Sequence, residues 1–383
     1  MLKLRVPLPR FLTSGELLMG KGSVAALRAL GAARAVLLVS PSLHANEALM
    51  ERLRRCVGAL ELRVIVLPSG EPSLVSLRPA LAEVSDFRPD WIVAVGGGSV
   101  LDAAKLIWIF YEHPDAELDR IFRPFAVPDL RGKARLAALP TTAGTGSEVS
   151  SAAVLTLPEN GRKQAVVSHQ LLPDLVILDP ELTAGVPARA MAAAGLDALA
   201  HAVESYVSRF ANPLADHFAE TAAAILIEQL PRMIEDRTDL DRVLDVQLAA
   251  LMAGWVQNLK VPGIGHAIAH QLGAFGLAHG AVCGALLAPA IAANCADENA
   301  RMKFRRLGER LGLHDEAGLA DAVRSLTRSV GVGALGAEAK GGAAVLRGAL
   351  ESISEGAMAD ICAKANPIPV TRDLVEKVLN DAC

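Results

Sequence analysis

Through the first half of the chain, short apolar and β-branched runs alternate with helical patterns. The runs at 35–40 (AVLLVS), 62–67, 91–95, 136–139 and 175–178 predict strands, and 22–30, 46–59 and 77–84 read as helices between the early ones. Strands that alternate with helices build a mostly parallel sheet with helices on both faces. The strands are apolar at successive positions, as in Val36-Leu37-Leu38-Val39, which is the pattern of a sheet buried on both sides. After Asp179-Pro180 the texture changes to Ala-rich helical periodicity. Phe218, Ala222, Ile225 and Leu226, for example, fall at i, i+4, i+7 and i+8 on one helical face. Two domains are expected: an α/β domain over 1–182 and an all-α domain over 183–383. Ligands of such sheets sit beyond the carboxyl ends of the strands, so the cleft between domains is the expected active site.

Composition narrows the function. The chain of 383 residues is 52% hydrophobic and 21% charged, which excludes a disordered chain and supports more than one core. A net charge of −4 offers no electrostatic footprint for nucleic acid or an anionic membrane. Five scattered cysteines, with no Cys-x-x-Cys pair, read as reduced thiols and not as a disulfide framework or a thiolate zinc knot. Residues 1–7 place Arg5 and Pro7 where a signal segment would be apolar, and the longest apolar stretch, 281–296, is too short to span a bilayer and contains Pro289. A cytoplasmic protein is expected.

Three segments carry candidate chemistry. In Val95-Gly96-Gly97-Gly98-Ser99 a strand runs through three glycines into a helix, so backbone N–H groups and a positive helix terminus meet where a pyrophosphate fits. The plainer explanation is a tight turn that needs positive φ. Pro140-Thr141-Thr142-Ala143-Gly144-Thr145-Gly146-Ser147 sets small hydroxyls and glycines just past another strand, where they can reach around a sugar or nicotinamide, although alone it reads as an ordinary polar loop. The third segment decides. Asp197 and His201 lie at i and i+4 on one helical face, His266 and His270 repeat the spacing, and His279-Gly280 follows. One histidine among apolar neighbours is usually a hydrogen-bonded core residue. Four of them with an aspartate are better explained as a divalent metal site, with donors that suit Fe2+ or Zn2+. An open metal and a dinucleotide in one cleft point to hydride transfer.

With these pieces the sequence resembles the iron-containing (group III) alcohol dehydrogenases. The matching motifs include GGGSVLDAAK from Gly96, PTTAGTGSEV from Pro140, DPELT from Asp179, AGLDALAHAVESY from Ala194, His266-x-x-x-His270, His279-Gly280 and Asn366-Pro367, in the family's order along nearly the whole chain. The resemblance implies a Rossmann-like domain followed by an all-α domain, the architecture shared with dehydroquinate synthase. It implies that Asp197, His201, His266 and His279 bind the metal, Fe2+ before Zn2+, and that His270 is a nearby non-ligand histidine that relays a proton or contacts substrate. It further implies contacts to NAD or NADP from Gly97, Gly98, Ser99 and Asp102 at the pyrophosphate, and from Thr141, Thr142, Thr145, Ser150 and Lys163 at the nicotinamide end. Thr145, Ser150 and Lys163 could equally cap or solvate locally.

The chain departs from the family pattern in four places. His270 and His279 are nine residues apart, where many members have ten. Val39-Ser40-Pro41-Ser42 carries no acid for the ribose hydroxyls, which keeps NADP open beside NAD. Glu71-Pro72 replaces a frequent Asn-Pro. Gln257, Asn258 and Lys260 replace mostly apolar residues ahead of His266. A lysine near the metal would suit an aldehyde bearing a carboxylate, sulfonate or phosphonate; a solvated Lys260 is the alternative. The expectation is a metal-dependent, NAD(P)H-linked reductase of small aldehydes, or dehydrogenase of primary alcohols, working as a homodimer or larger homo-oligomer. The alternatives are a lyase of the 3-dehydroquinate synthase type, a metal-dependent hydrolase, and a non-catalytic metal or nucleotide sensor.

Overall fold

The structure, a computed structural model, describes residues 15–157, 163–183, 185–313 and 316–383; the N-terminal stretch in which no signal segment is expected lies outside them. Eight strands are present among these residues: β1 (Glu16–Met19), β2 (Ala32–Val39), β3 (Ala59–Val66), β4 (Trp91–Gly96), β5 (Arg135–Pro140), β6 (Ala152–Thr156), β7 (Lys163–Val167) and β8 (Leu175–Leu178). Six form one parallel sheet in the order β1-β8-β5-β4-β2-β3, while β6 and β7 pair antiparallel on their own. The five strands expected from the apolar runs are all there. The hydrophobic pattern does not announce β1, β6 or β7, which are short and partly exposed.

Alternation inside the strands accounts for their unbroken apolarity. Val36, Leu38, Ile92, Ala94, Leu136 and Ala138 feed one core, and Leu37, Val39, Val93, Val95, Ala137 and Leu139 feed another. Successive side chains point to opposite faces, so a sheet buried on both sides needs apolar residues at every position. The stretch at 22–30 is a 3₁₀ helix over Ser23–Ala29, where a longer helix was expected, while 46–59 holds the α-helix Glu47–Cys56 and 77–84 lies inside the longer α-helix Leu74–Phe87.

Two compact units divide the chain. One runs to Val186 and includes Thr238–Gln247; the other comprises Pro187–Arg237 and Leu248–Cys383. All regular structure described from Pro180 onward is helical. Within the second unit, the helix His279–Asn294 packs closely on Ala188–Tyr206, and glycine makes this approach feasible. A Cβ on Gly280 would stand 2.0 Å from the carbonyl oxygen of Ala193, and one on Gly284 would stand 2.7 Å from Leu196. No helix among the described residues is long and apolar enough to cross a membrane.

Candidate functional site

In the α/β unit the chain leaves β2 toward β3 on one side and returns to β4 on the other, so the strand order reverses between β2 and β4. Their carboxyl ends mark a switch point where ligands of such sheets bind. The glycine turn follows β4 there. Gly97 caps the helix Gly98–Glu112 with no side-chain acceptor, leaving the first N–H groups of a 15-residue helix available to an anion. None of Gly96, Gly97 and Gly98 has positive φ, so the turn is not what demands them. Space does: a Cβ on Gly96 would lie 2.6 Å from Val100, and one on Gly98 would lie 2.7 Å from Thr145.

The Thr-rich loop reaches the same place because Gly96 pairs with Pro140 in the β4–β5 register, and the Thr141 N–H donates to Gly96 O at 2.9 Å. Gly97, Gly98, Thr141, Thr142 and Thr145 therefore surround one strand-end region, with Ser99 exposed in the first helical turn. Asp102 and Ser150 face inward. Asp102 accepts from Ser147 Oγ and, at 3.0 Å, from the Val154 N–H, while Ser150 Oγ accepts from the Ala152 N–H at 3.0 Å. Lys163, at the head of β7, pairs with Glu71 at 2.7 Å. Beneath the loop, Lys105 is wholly buried and donates to the carbonyls of Ser147, Ser150 and Ala152 at 2.7–2.8 Å. Burial lowers its pKa to about 8, with Asp102 and Glu148 opposing; burial also raises Glu148 to about 7.

The helical unit assembles the second set. Asp197 and His201 sit one turn apart on Ala188–Tyr206, His266 on the short helix Ile264–Ala269, and His279 opens His279–Asn294. Asp197 Oδ1 lies 3.9 Å from His201 Nε2, 3.6 Å from His266 Nε2 and 3.7 Å from His279 Nε2. Two ligands about 2.1 Å from one ion at a tetrahedral angle are roughly 3.4 Å apart, so these spacings suit a shared cation. Asp197 Oδ1 and His266 Nε2 are also buried without a hydrogen-bond partner among the described residues. Leaving such atoms unsatisfied costs about 1–3 kcal/mol each, which a cation between them would offset. The residues fit the metal.

Charge points the same way. Burial alone would raise the Asp197 carboxyl, but the imidazoles of His201, His279 and His266 outweigh it and hold the group well below the usual carboxylate range. Burial lowers His201 to about 4, which keeps it neutral as a ligand must be.

Three contributors escape the ligand spacing. Glu204 accepts from the N–H groups of Gly263 and Gly265 at 2.9 Å, capping the His266 helix, and its other oxygen meets His266 Nδ1 at 2.9 Å. A carboxylate can only accept, so Nδ1 carries the proton and Nε2 is left as a donor to metal. Asp360 Oδ2 stands 2.9 Å from His270 Nδ1. Cys283, one turn beyond His279, brings Sγ to 3.6 Å from His279 Nε2. A carboxylate i+3 from His201 and a thiol i+4 from His279 are the sequence signals for two of them; Asp360, 90 residues from His270, has none. His270 itself stacks on His279, with ring centroids 5.5 Å apart, and is a third exposed, so the site opens on that side.

Lys260 is neither near-metal anion receptor nor solvated. It is fully buried, with Nζ donating to Tyr206 O at 2.9 Å and bound to Asp216. Its neighbours Tyr206, Asp216 and Lys303 line a cavity of about 310 Å³ to which none of the four expected metal ligands contributes.

The sequence matches the family model for iron-containing alcohol dehydrogenase over residues 14–180 and that for the C-terminal part of the same family over 191–383. The chain belongs to the iron-containing alcohol dehydrogenase family. Among relatives of this alcohol dehydrogenase, aldehyde-alcohol dehydrogenase 2 of Entamoeba histolytica is 39% identical over 249 residues, 63% of this chain and 28% of that longer protein. The NADPH-dependent butanol dehydrogenase of Clostridium saccharobutylicum is 29% identical over 378 residues, 96% of each chain. The iron-containing alcohol dehydrogenase of Thermococcus thioreducens superposes with a TM-score of 0.88 at 30% identity, covering 97% of this chain and 99% of that one. Membership makes the chain an oxidoreductase that uses a metal and NAD(P), and leaves the lyase and hydrolase alternatives with less support.

Proposed function

We propose that Asp197, His201, His266 and His279 hold a divalent metal, and that the enzyme interconverts a small aldehyde and its primary alcohol with NAD(P)H. The observation that carries this reading is the unpaired Asp197 Oδ1 within 3.6–3.9 Å of three imidazole nitrogens. A divalent ion held by Asp197, His201, His266 and His279 would supply a Lewis acid for a carbonyl or alcohol oxygen, and a bound NAD(P)H would supply the hydride chemistry.

The chain's own residues do the positioning. Glu204 fixes the His266 ring, Asp360 fixes His270, and His270 lies on the open side, where it contacts substrate or passes its proton toward solvent. Gly97, Gly98 and Ser99 offer the helix terminus to the pyrophosphate, while Thr141, Thr142 and Thr145 line the approach to the nicotinamide. Asp102, Ser150 and Lys163 act one step back: the first two hold the loop, and Lys163 is steered by Glu71. After β2, Ser40 caps Pro41–His44 and no carboxylate faces the ribose from that loop, so NADPH is accepted beside NADH. The reading includes Fe2+ or Zn2+ as the ion, a dinucleotide-binding domain over 1–182, a metal-binding domain over 183–383, a homo-oligomer and a cytoplasmic setting.

The test is Asp197→Ala. Metal content and turnover should both be lost, while the NADH and NADPH fluorescence titrations stay near wild type. Turnover by metal-free Asp197→Ala would overturn the mechanism. A panel pairing butanal with an anionic C2 or C3 aldehyde reads the substrate class; with Lys260 bound to Asp216, Lys260→Ala should leave the ratio of the two kcat/KM values unchanged.

A further inference from the structure

The metal set carries one donor beyond its aspartate and three histidines. Cys283 lies one turn after His279 on the same helix, is fully buried, and places Sγ 3.6 Å from His279 Nε2. Ligand atoms of Asp197, His266, His279 and Cys283 all lie within 4.8 Å of one another. Two of those atoms, Asp197 Oδ1 and His266 Nε2, are the buried unpartnered ones described above. A nitrogen about 2.05 Å and a sulfur about 2.3 Å from one ion, at a tetrahedral angle, stand roughly 3.6 Å apart. The sulfur is therefore at ligand spacing from His279 and within the same small volume as the donors of Asp197 and His266.

We propose that Cys283 is a ligand of the bound metal and that its sulfur tilts this site toward Zn2+ at the expense of Fe2+. The inference rests on the metal reading above. As the sulfur–metal bond forms, the thiol proton leaves to solvent; no electrons change hands. A coordinating divalent ion deprotonates a thiol outright, so the ligand would be the Cys283 thiolate. Thiolate is a softer donor than imidazole or carboxylate, and softness separates Zn2+ from iron at a site of otherwise mixed nitrogen and oxygen donors. Charge shifts with it. One carboxylate leaves a divalent ion net positive; a carboxylate and a thiolate together neutralise it, which weakens the Lewis acid and favours retention of the ion.

Cobalt substitution tests this on the whole protein. Stripped enzyme reloaded with Co2+ should show visible ligand-field bands together with a near-ultraviolet sulfur-to-cobalt charge-transfer band. Cys283→Ser should lose the charge-transfer band and keep the ligand-field bands, and Cys362→Ser should keep both. In competition, Cys283→Ser should lower the ratio of Zn2+ to Fe2+ affinity by at least about tenfold, since even partners outside the ligand shell move metal affinity that much. Ligand-field bands without charge transfer in the wild type, or charge transfer surviving in Cys283→Ser, overturns the proposal and leaves the Asp-His₃ site standing. A wild type that shows no cobalt bands at all overturns both. The wild-type spectrum decides even if the variant fails to fold.

Discussion

Glu204 and Asp360 do for two histidines what neither ring can do for itself: they choose the tautomer and hold the plane. Glu204 also accepts the first N–H groups of the His266 helix, so one buried carboxylate ties helix position to ring orientation. Glu204→Gln should therefore weaken metal affinity by about 10–100-fold, measured by competition with a chelating dye, with the fold intact by circular dichroism. Asp360 acts on His270 and caps Ile361–Ala365 through the Cys362 N–H at 2.8 Å; burial opposes its ionisation, yet the His270 bond wins and holds it below the ordinary range. Asp360→Ala should lower kcat by about tenfold or more with little change in KM, and Asp360→Asn, whose amide oxygen still accepts, should recover part of the loss. Lys260 teaches the opposite lesson. Its charge and its place before His266 suggested a substrate contact, but its partner lies 44 residues earlier, at Asp216, beyond the reach of local spacing.

At the scale of elements, the site exists because helices come close. Gly280 lets His279–Asn294 touch the Ala193 carbonyl, and that contact sets His279 beside Asp197 despite the nine-residue interval from His270. Gly280→Ala would force the helices apart; it should cost about 1–3 kcal/mol in stability and strip the metal, read by thermal melting and metal analysis. The central strands β2, β4, β5 and β8 were legible because burial on both faces makes their inner positions apolar without a break, and β3, at the sheet edge, was legible from its Val64-Ile65-Val66 run. The antiparallel pair β6–β7 was not legible: its strands are five residues each with partly exposed positions, so their apolar residues form no unbroken run.

The whole molecule feels these sites through linkage. A ligand that binds only the folded state raises the melting temperature, so Zn2+ or Co2+ added to stripped protein should raise Tm, and Asp197→Ala should abolish the rise. Titration adds a second handle. Glu148, raised by burial to about 7 in the fold, binds a proton that the unfolded chain releases near 4.5, so its contribution is full below 4.5 and is lost as pH rises through 7. Lys105 runs the other way: lowered to about 8, it loses its proton in the fold before the unfolded chain does, so stability rises from pH 8 toward 10.5. Glu148→Gln should flatten the fall in Tm between pH 5 and 7; an unchanged slope would remove Glu148 as its source.

From residue order alone came the alternation of strands and helices, the turn of texture near Asp179, and the donors that recur one helical turn apart, because periodicity and i, i+4 spacing are local properties of the backbone. Tertiary structure alone decided that Asp197 meets His279, that Glu204 reaches His266, that Asp360 faces His270, and that Lys260 turns to Asp216. Those pairings join residues brought together by helix packing and glycine contacts, and sequence distance carries no record of them.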